Sequence, residues 1–397
     1  MLSRLRSSPR TLPTRLLRAF STTPPTLLKK TPLYDLHLAH GANMVEFAGY
    51  SMPVLYAAQT HVESHKWVRA QAGVFDVSHM VQHVFKGPEA TSFLEKITPS
   101  SLRELPRFQS TLSTLLLDTG GIADDLMITK RAEDEYYVVT NAGCRESDLA
   151  FFKRELQLFP SVEHVVLDES AILAVQGPRA AEVLQRLTQD DLGALKFGMA
   201  GLLDFKGSER YHVGRGGYTG EDGFEVSLPS REALSFTERM LASSEGVLKM
   251  IGLAARDSLR LEAGMCLYGH DLDAETTPVE GSLAWTIGKR RRAEGGFNGF
   301  ETVARQLAEG VDRRRVGMRV RGPPAREGCV VYDESGTEVV GKITSGSPSP
   351  TAGGNVAMGY LRKGYWKTGT KVLVDVRGRK REGEVARMPF VETKYVR

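Results

Sequence analysis

Negative charge is missing from the start of this 397-residue chain, whose first acidic residue is Asp35. The first twenty residues, MLSRLRSSPRTLPTRLLRAF, hold five arginines and three serines. Leu2, Leu5, Leu12, Leu16 and Leu17 are interleaved with Arg4, Arg6, Arg15 and Arg18. That excludes a secretory signal, which needs an unbroken apolar core, and fits a mitochondrial transit peptide over residues 1–20. Arg18-Ala-Phe-Ser21 resembles the arginine-at-minus-three sites of the matrix processing peptidase, so the mature chain is expected to begin near Ser21, in the matrix. Losing five arginines takes the formal charge from +4 to −1. No global positive field then remains to attract nucleic acid. Cysteine is scarce too: Cys144, Cys266 and Cys329 stand alone, without metal-type spacing, and read as reduced thiols. No apolar run approaches the roughly 20 residues of a membrane span. A dinucleotide loop is absent from the glycine-rich stretch near residue 217, because Thr219 stands where G-x-G-x-x-G needs glycine.

What is present falls into three parts. From 31 to 160, helical and strand signals mix. AAQTHVESHKWVRAQAG has helical spacing through Val62, Trp67 and Ala70, with Gly73 expected as the stop. GPEATSFLEKIT and SDLAFFKRELQLF read as amphipathic helices. From 161 to 300 the pattern repeats in kind: strand AILAVQG leads into GPRAAEVLQRLT, as strand MVQHVFKG led into GPEATSFLEKIT. Two related α+β halves follow from that repeat. From 312 to 397 the signals are nearly all strand and turn, which predicts a small antiparallel barrel or sandwich. SGSPSPTAGG is expected to be a surface loop.

The stretch GGIADDLMITKRAEDEYYVVTNAGC (Gly120 to Cys144) predicts a β-hairpin with a turn over Arg131 to Glu135. Centring the turn on Glu133 sets Asp125 against Asn141, Met127 against Val139 and Thr129 against Tyr137. Side chains alternate across a sheet, so these six share one face. Asp124, Leu126, Ile128, Val138 and Thr140 take the other. Asp125 then shares a face with an amide, an aromatic ring and apolar groups, a surface suited to a flat polar ring. On spacing alone both aspartates are better explained as residues that merely end a turn. A second hairpin, YHVGRGGYTGEDGFEVSLP, carries Tyr218 and Glu221 in a glycine-rich connection. Glycines explain its bend, but not a glutamate at its tip.

GVFDVSHM, GGIADDLM, NAGC, GYTGEDGFE, GLAARDSLRLEAGMCLYGHDLD, TPVEGSLAW and RMPFVETKY occur in unbroken order from about Thr31 to the end. Together they resemble the aminomethyltransferases, the T-protein family of the glycine cleavage system. The resemblance implies an α+β fold of two related folate-binding domains plus a C-terminal β-barrel, arranged as a three-domain cloverleaf. It implies transfer of a methylene carbon from the aminomethyl-dihydrolipoyl arm of lipoylated H-protein to tetrahydrofolate, with release of ammonia and no metal. The other glycine cleavage proteins are further candidate partners. Matched position by position, the catalytic carboxylate falls on Asp125. The folate contacts fall on Met80, Leu112, Tyr137, Val139, Asn141, Tyr218, Glu221, Arg256, Trp285, Arg315 and Tyr395. A pterin edge offers two parallel N–H donors that a carboxylate such as Glu221 can accept. Trp285 and Tyr395 could pack on the aromatic parts, Met80, Leu112 and Val139 line an apolar slot, and Arg315 meet the carboxylate tail. Arg256 could instead orient Glu221.

Other signals are weaker. His61 and His65, four apart on a helix without a third ligand, are expected on a solvated face. The basic runs Lys289 to Arg292 and Arg313 to Arg315 suit an acidic partner, the folate tail or solvated turns. Asp76 and His79 could form an acid–base pair, or simply shape the loop before Met80. Two alternatives lie in the same superfamily. One is a non-enzymatic folate-binding iron–sulfur cluster assembly factor, whose lysine-glycine-cysteine signature is replaced here by TTPVEGSLAW, without cysteine. The other is the folate half of a dimethylglycine or sarcosine dehydrogenase, which brings a flavin domain.

Overall fold

A computed structural model of the chain describes residues 27–205 and 209–397. The basic segment and its cleavage site lie outside the described residues. Besides a two-stranded ladder of Ala42–Phe47 and Tyr50–Tyr56, two mixed α+β units carry the larger sheets of the first 300 residues. The first sheet runs in the order Ser110–Leu116, Ile122–Ala132, Glu135–Thr140, Val81–Lys86, Glu163–Val166. The second runs Ala200–Asp204, Arg210–Arg215, Gly223–Pro229, Ser170–Gln176, Ala72–Asp76, Leu248–Met250. Their first four positions are wound alike: a strand, a helix, then three strands that return until the last pairs with the first. The strand–Gly-Pro–helix repeat read from the sequence is therefore the opening of a longer structural repeat. Its glycines are required in both copies. Gly87 and Gly177 sit at φ 124° and 127°. A Cβ at Gly87 would lie 2.0 Å from the carbonyl oxygen of Ser161, and one at Gly177 would lie 2.2 Å from that of Gln71.

The two halves are not contiguous in sequence. Strand Ala72–Asp76, buried along its whole length, pairs antiparallel with Ser170–Gln176 and parallel with Leu248–Met250. The segment before residue 80 thus completes the second sheet, and a boundary at 160 does not separate the sheets. Gly73 is consequently not a helix stop. Helix His61–Ala70 opens with a capping box between Thr60 and Glu63 and ends through Gln71. Gly73 lies inside the strand, where a Cβ would come within 2.5 Å of Ile251 and 2.8 Å of Val68. The missing side chain lets strand, helix and Ile251 close on one another.

Strands Arg313–Val320, Asn355–Arg362, Val339–Pro348, Val330–Tyr332, Lys371–Val376 and Arg379–Ala386 form a closed antiparallel barrel. Its interior is filled by Val316, Met318, Val331, Ile343, Leu361 and Val374. SGSPSPTAGG is more than the expected surface loop. Ser345 and Ser347 belong to strand Val339–Pro348, and Ser345, Ser347 and Ser349 are buried. Ser349 Oγ donates to Glu262 Oε1 at 2.6 Å and Thr351 N donates to the same oxygen at 2.9 Å. This stretch docks the barrel on helix Leu253–Glu262. The two larger sheets and the barrel each have their own apolar core, and a further cluster lies apart from those cores. It joins Tyr137 and Val139 to Phe75, Val77, Ile172, Ile251 and Leu259.

Candidate functional site

The hairpin pairs Met127 with Val139 and Thr129 with Tyr137, the register expected from the sequence. Its turn is tighter than expected. Strand Ile122–Ala132 runs on to pair Ala132 with Glu135, and a bulge near Arg131 shifts the register there. The two faces separate as alternation requires. Leu126, Ile128 and Val138 enter the core of the first sheet, whereas Met127, Tyr137 and Val139 join the further cluster. Asp124 is 0% exposed, while Asp125 is only partly covered.

At the strand ends the two aspartates meet one amide. Asn141 Nδ2 lies 2.8 Å from Asp124 Oδ1 and 2.9 Å from Asp125 Oδ1, and Asn141 N donates to Asp124 Oδ2 at 2.9 Å. Burial, and then the charge of Asp124, push the Asp125 carboxyl up to about 7 against the bond from Asn141. A carboxyl so placed exchanges a proton near neutrality, which is what general acid–base work requires. Thr114 pairs across the sheet with Asp125 and Leu112 with Met127. The Thr114 hydroxyl is buried without a partner. Met80 packs against the cluster holding Tyr137 and Val139.

The glycine-rich turn brings its own groups to the same region. The Tyr218 hydroxyl donates to the Cys266 carbonyl, and the Arg256 guanidinium lies 4.6 Å from the Tyr218 ring centroid. Arg256 does not orient Glu221. Arg69 Nη1, at 3.1 Å, and Lys394 Nζ, at 3.3 Å, hold Glu221 Oε1 instead. Glu221 is 1% exposed, and its Oε2 is buried without any donor. Tyr395 stacks on Phe197 with centroids 4.0 Å apart. Arg69 and Lys394 were missed in the sequence. A faint signal existed, because His65 and Arg69 are four apart on one helix and both bond Glu262 Oε2, at 3.1 and 2.8 Å.

Other expectations change. Arg315 is buried, donating from Nε to the Gly281 carbonyl at 2.8 Å and facing Met358 Sδ with Nη1 at 3.0 Å. It is anchored between barrel and body rather than presented to a carboxylate tail. Trp285 is 63% exposed. His61 and His65 are not on a solvated face: both reach Ser258 Oγ at 2.8 Å, and His65 is 0% exposed. The basic runs are largely engaged inside the chain, Arg290 with Glu95 and Glu294 at 2.6 and 2.7 Å, and Arg313 with Glu280 at 3.2 Å. Asp76 pairs with His37, Nε2 to Oδ2 2.8 Å, rather than with His79, and Tyr56 bonds His37 Nδ1 at 2.9 Å. Burial pushes His79 down to about 4. Among the described residues no group of three or more His, Cys, Asp or Glu side chains is placed to hold a metal, and no helix is long and apolar enough to cross a membrane.

The profile described as the GCVT N-terminal domain matches residues 33–291, and that of the glycine cleavage T-protein C-terminal barrel domain matches 313–392. The chain belongs to the glycine cleavage T-protein family. A probable mitochondrial aminomethyltransferase of Schizosaccharomyces pombe is 52% identical, over 96% of this chain and 97% of its own. The mitochondrial aminomethyltransferase of Saccharomyces cerevisiae is 47% identical over 93% and 96%, and that of Pisum sativum 47% over 93% and 90%. The solved aminomethyltransferase T of the Bartonella henselae glycine cleavage system superposes with a TM-score of 0.87 at 38% identity. It covers 93% of this chain and 100% of its own. As a T-protein, this chain is an aminomethyltransferase, and these matches favour that activity over the iron–sulfur assembly alternative. The same relatives suggest a mitochondrial enzyme.

Proposed function

We propose that in the mitochondrial matrix this T-protein moves the methylene carbon from the aminomethyl-dihydrolipoyl arm of lipoylated H-protein to tetrahydrofolate. In that reaction the carbon leaves sulfur and gains bonds to two folate nitrogens. The two protons those nitrogens lose end on the lipoyl sulfur and on the departing ammonia. A group that takes up and returns a proton near neutrality is therefore needed where carbon changes partner, and Asp125 is assigned that role. Met80, Leu112, Tyr137, Val139, Asn141 and Tyr218 are assigned to the walls of the folate site, with Arg256 and Tyr395 beside them. Trp285 is assigned to its open rim.

The observation that carries the folate assignment is the Glu221 carboxylate. One oxygen is fixed by Arg69 and Lys394, and the other is buried with no donor. A buried carboxylate oxygen left unmatched is costly, and an N–H from the pterin edge supplies what it lacks. Glu221→Gln should lower tetrahydrofolate affinity roughly ten- to a hundredfold, the worth of a charged hydrogen bond of about 1.5–3 kcal/mol. Calorimetry giving unchanged affinity would return Glu221 to the role of a turn residue. The reaction itself is tested by asking whether glycine, lipoyl-H-protein and the remaining glycine cleavage proteins form methylenetetrahydrofolate only when this chain is added.

A further inference from the structure

Behind the hairpin lies a carboxyl for which the proposed chemistry has no use. Asp148, on helix Arg145–Glu155, is 1% exposed, and neither of its oxygens meets a donor in hydrogen-bonding geometry. Beside it lie the carboxyl of Asp124 and the Thr140 hydroxyl, whose pull towards the charged form of Asp148 is smaller than the opposing effects of burial and of Asp124. Asp124 is supplied very differently. It accepts from Asn141 N at 2.9 Å and from Asn141 Nδ2 at 2.8 Å, and the Cys144 thiol also favours its charged form. Two ionised carboxylates cannot share a dry site, and the one with the weaker donors takes the proton. That one is Asp148: burial raises the proton affinity of both carboxyls, the charge of Asp124 raises that of Asp148 further, and the bonds from Asn141 hold Asp124 back. Once neutral, Asp148 has an O–H to give to Asp124. A continuous line then runs from Asp148 to Asp124, from Asp124 to Asn141 Nδ2, and from Asn141 Nδ2 to Asp125 Oδ1.

We propose that Asp148 is a positioning residue of this site: as a neutral acid it donates to Asp124, keeps that residue an anion, and through it sets how readily Asp125 takes up a proton. This rests on the reading of Asp125 as the acid–base group. The other titratable groups around Asp125 do not displace the Asp124 anion from this role. Tyr218, Cys266 and Cys144 are pushed up by burial and stay neutral. Tyr268, facing the Asp124–Asp148 pair, is also pushed up by burial. Asp271 is paired with Arg260 at 2.6 Å, and its effect on Asp125 is smaller than that of Asp124.

The test uses pH–rate profiles of the full chain in the complete glycine-dependent assay. An infrared spectrum of the carboxyl C=O region at pH 8 is recorded alongside. Asp124→Asn removes the anion, so the acid limb of the profile should move down by about one unit or more. Asp148→Leu cannot donate, so Asp124 takes the proton itself and the limb should move down as well. Asp148→Asn still donates through its amide and should restore the limb to its place. The neutral-acid C=O band should vanish in Asp148→Asn and persist in Asp125→Asn. Should the leucine variant not fold, the two asparagine variants and the band carry the test. An unmoved limb in Asp124→Asn, a displaced one in Asp148→Asn, or an unaltered band in Asp148→Asn would overturn the proposal. Full turnover in Asp125→Asn would instead defeat the parent reading, while the band would still judge Asp148.

Discussion

Asn141 makes the two hairpin aspartates different in kind. It occupies both oxygens of the buried Asp124 but one oxygen of the partly open Asp125. Asp125→Asn should therefore still bind folate while turnover falls by about 10²–10⁴, the usual worth of a positioned acid–base group. Asp124→Asn should cost far less turnover and chiefly stability, about 1–3 kcal/mol for an acceptor lost opposite a buried donor. Measuring turnover and folate binding on both variants decides it, since a larger loss at Asp124 would invert the assignment. The same carboxyl carries a stability signature. Its proton affinity is higher folded, about 7, than unfolded, near 4. Its contribution to stability is thus complete below the unfolded value and lost as pH rises through the folded one. Asp125→Asn, never charged, should gain in thermal midpoint over the parent as pH goes from 5 to 8, and an unchanging gap would refute that. Sequence made the facing of Asp125, Met127, Tyr137 and Val139 legible, because a strand has a period of two. It could not reveal the grip of Arg69 and Lys394 on Glu221, since those contacts span 152 and 173 residues and leave no local pattern. Nor could it show that Arg315 is buried against glycine carbonyls, because an arginine in a run of three looks solvated until the strand is placed.

Helices and strands were readable where their own periodicity decided them, as in helix Ala90–Ile97 and the barrel strands. They were misread where a partner decided them. Gly73 looks like a helix stop until Ile251 and Val68 close on it, and strand Ala72–Asp76 announces nothing about which sheet it joins. The Gly-Pro turns are the converse, a local signal that repeats because the geometry repeats. Gly87→Ala and Gly177→Ala should behave alike. Each forces a side chain into a positive φ, about 1–3 kcal/mol of backbone strain, and each drives a methyl into a carbonyl oxygen on top of that. Denaturant unfolding should show both losses above that range, whereas Gly364→Ala, with positive φ but open space around it, should show the strain alone. Equal losses at all three positions would mean that the close contact contributes nothing.

Glu262 ties the molecule together. Its buried carboxylate receives His65 and Arg69 from one helix and Ser349 and Thr351 from the barrel, and Arg69 also holds Glu221. Burial raises its proton affinity, but the bonds from His65 and Ser349 outweigh that and keep it well below the usual carboxylate range. Its stabilisation is present above that range and lost as pH falls below it. Glu262→Gln removes the charge that Arg69 and His65 share, leaving Arg69 with Glu221 and the Thr219 carbonyl, and should cost about 1–3 kcal/mol of unfolding free energy. Folate affinity should fall with it, while Glu382→Gln, in an exposed pair with Arg321, should cost almost nothing. Equal effects would deny Glu262 its place between barrel and turn. The threading of strand Ala72–Asp76 bears on the order in which the protein is made. A chain emerging from its N-terminus must keep that strand unpaired for about a hundred residues, until Ser170–Gln176 arrives, and leave its other edge bare until Leu248–Met250 follows. No fragment that stops at residue 160 contains a finished second sheet. Every half-made form of the molecule shows open strand edges to its surroundings, a hazard for aggregation and a natural handle for chaperones.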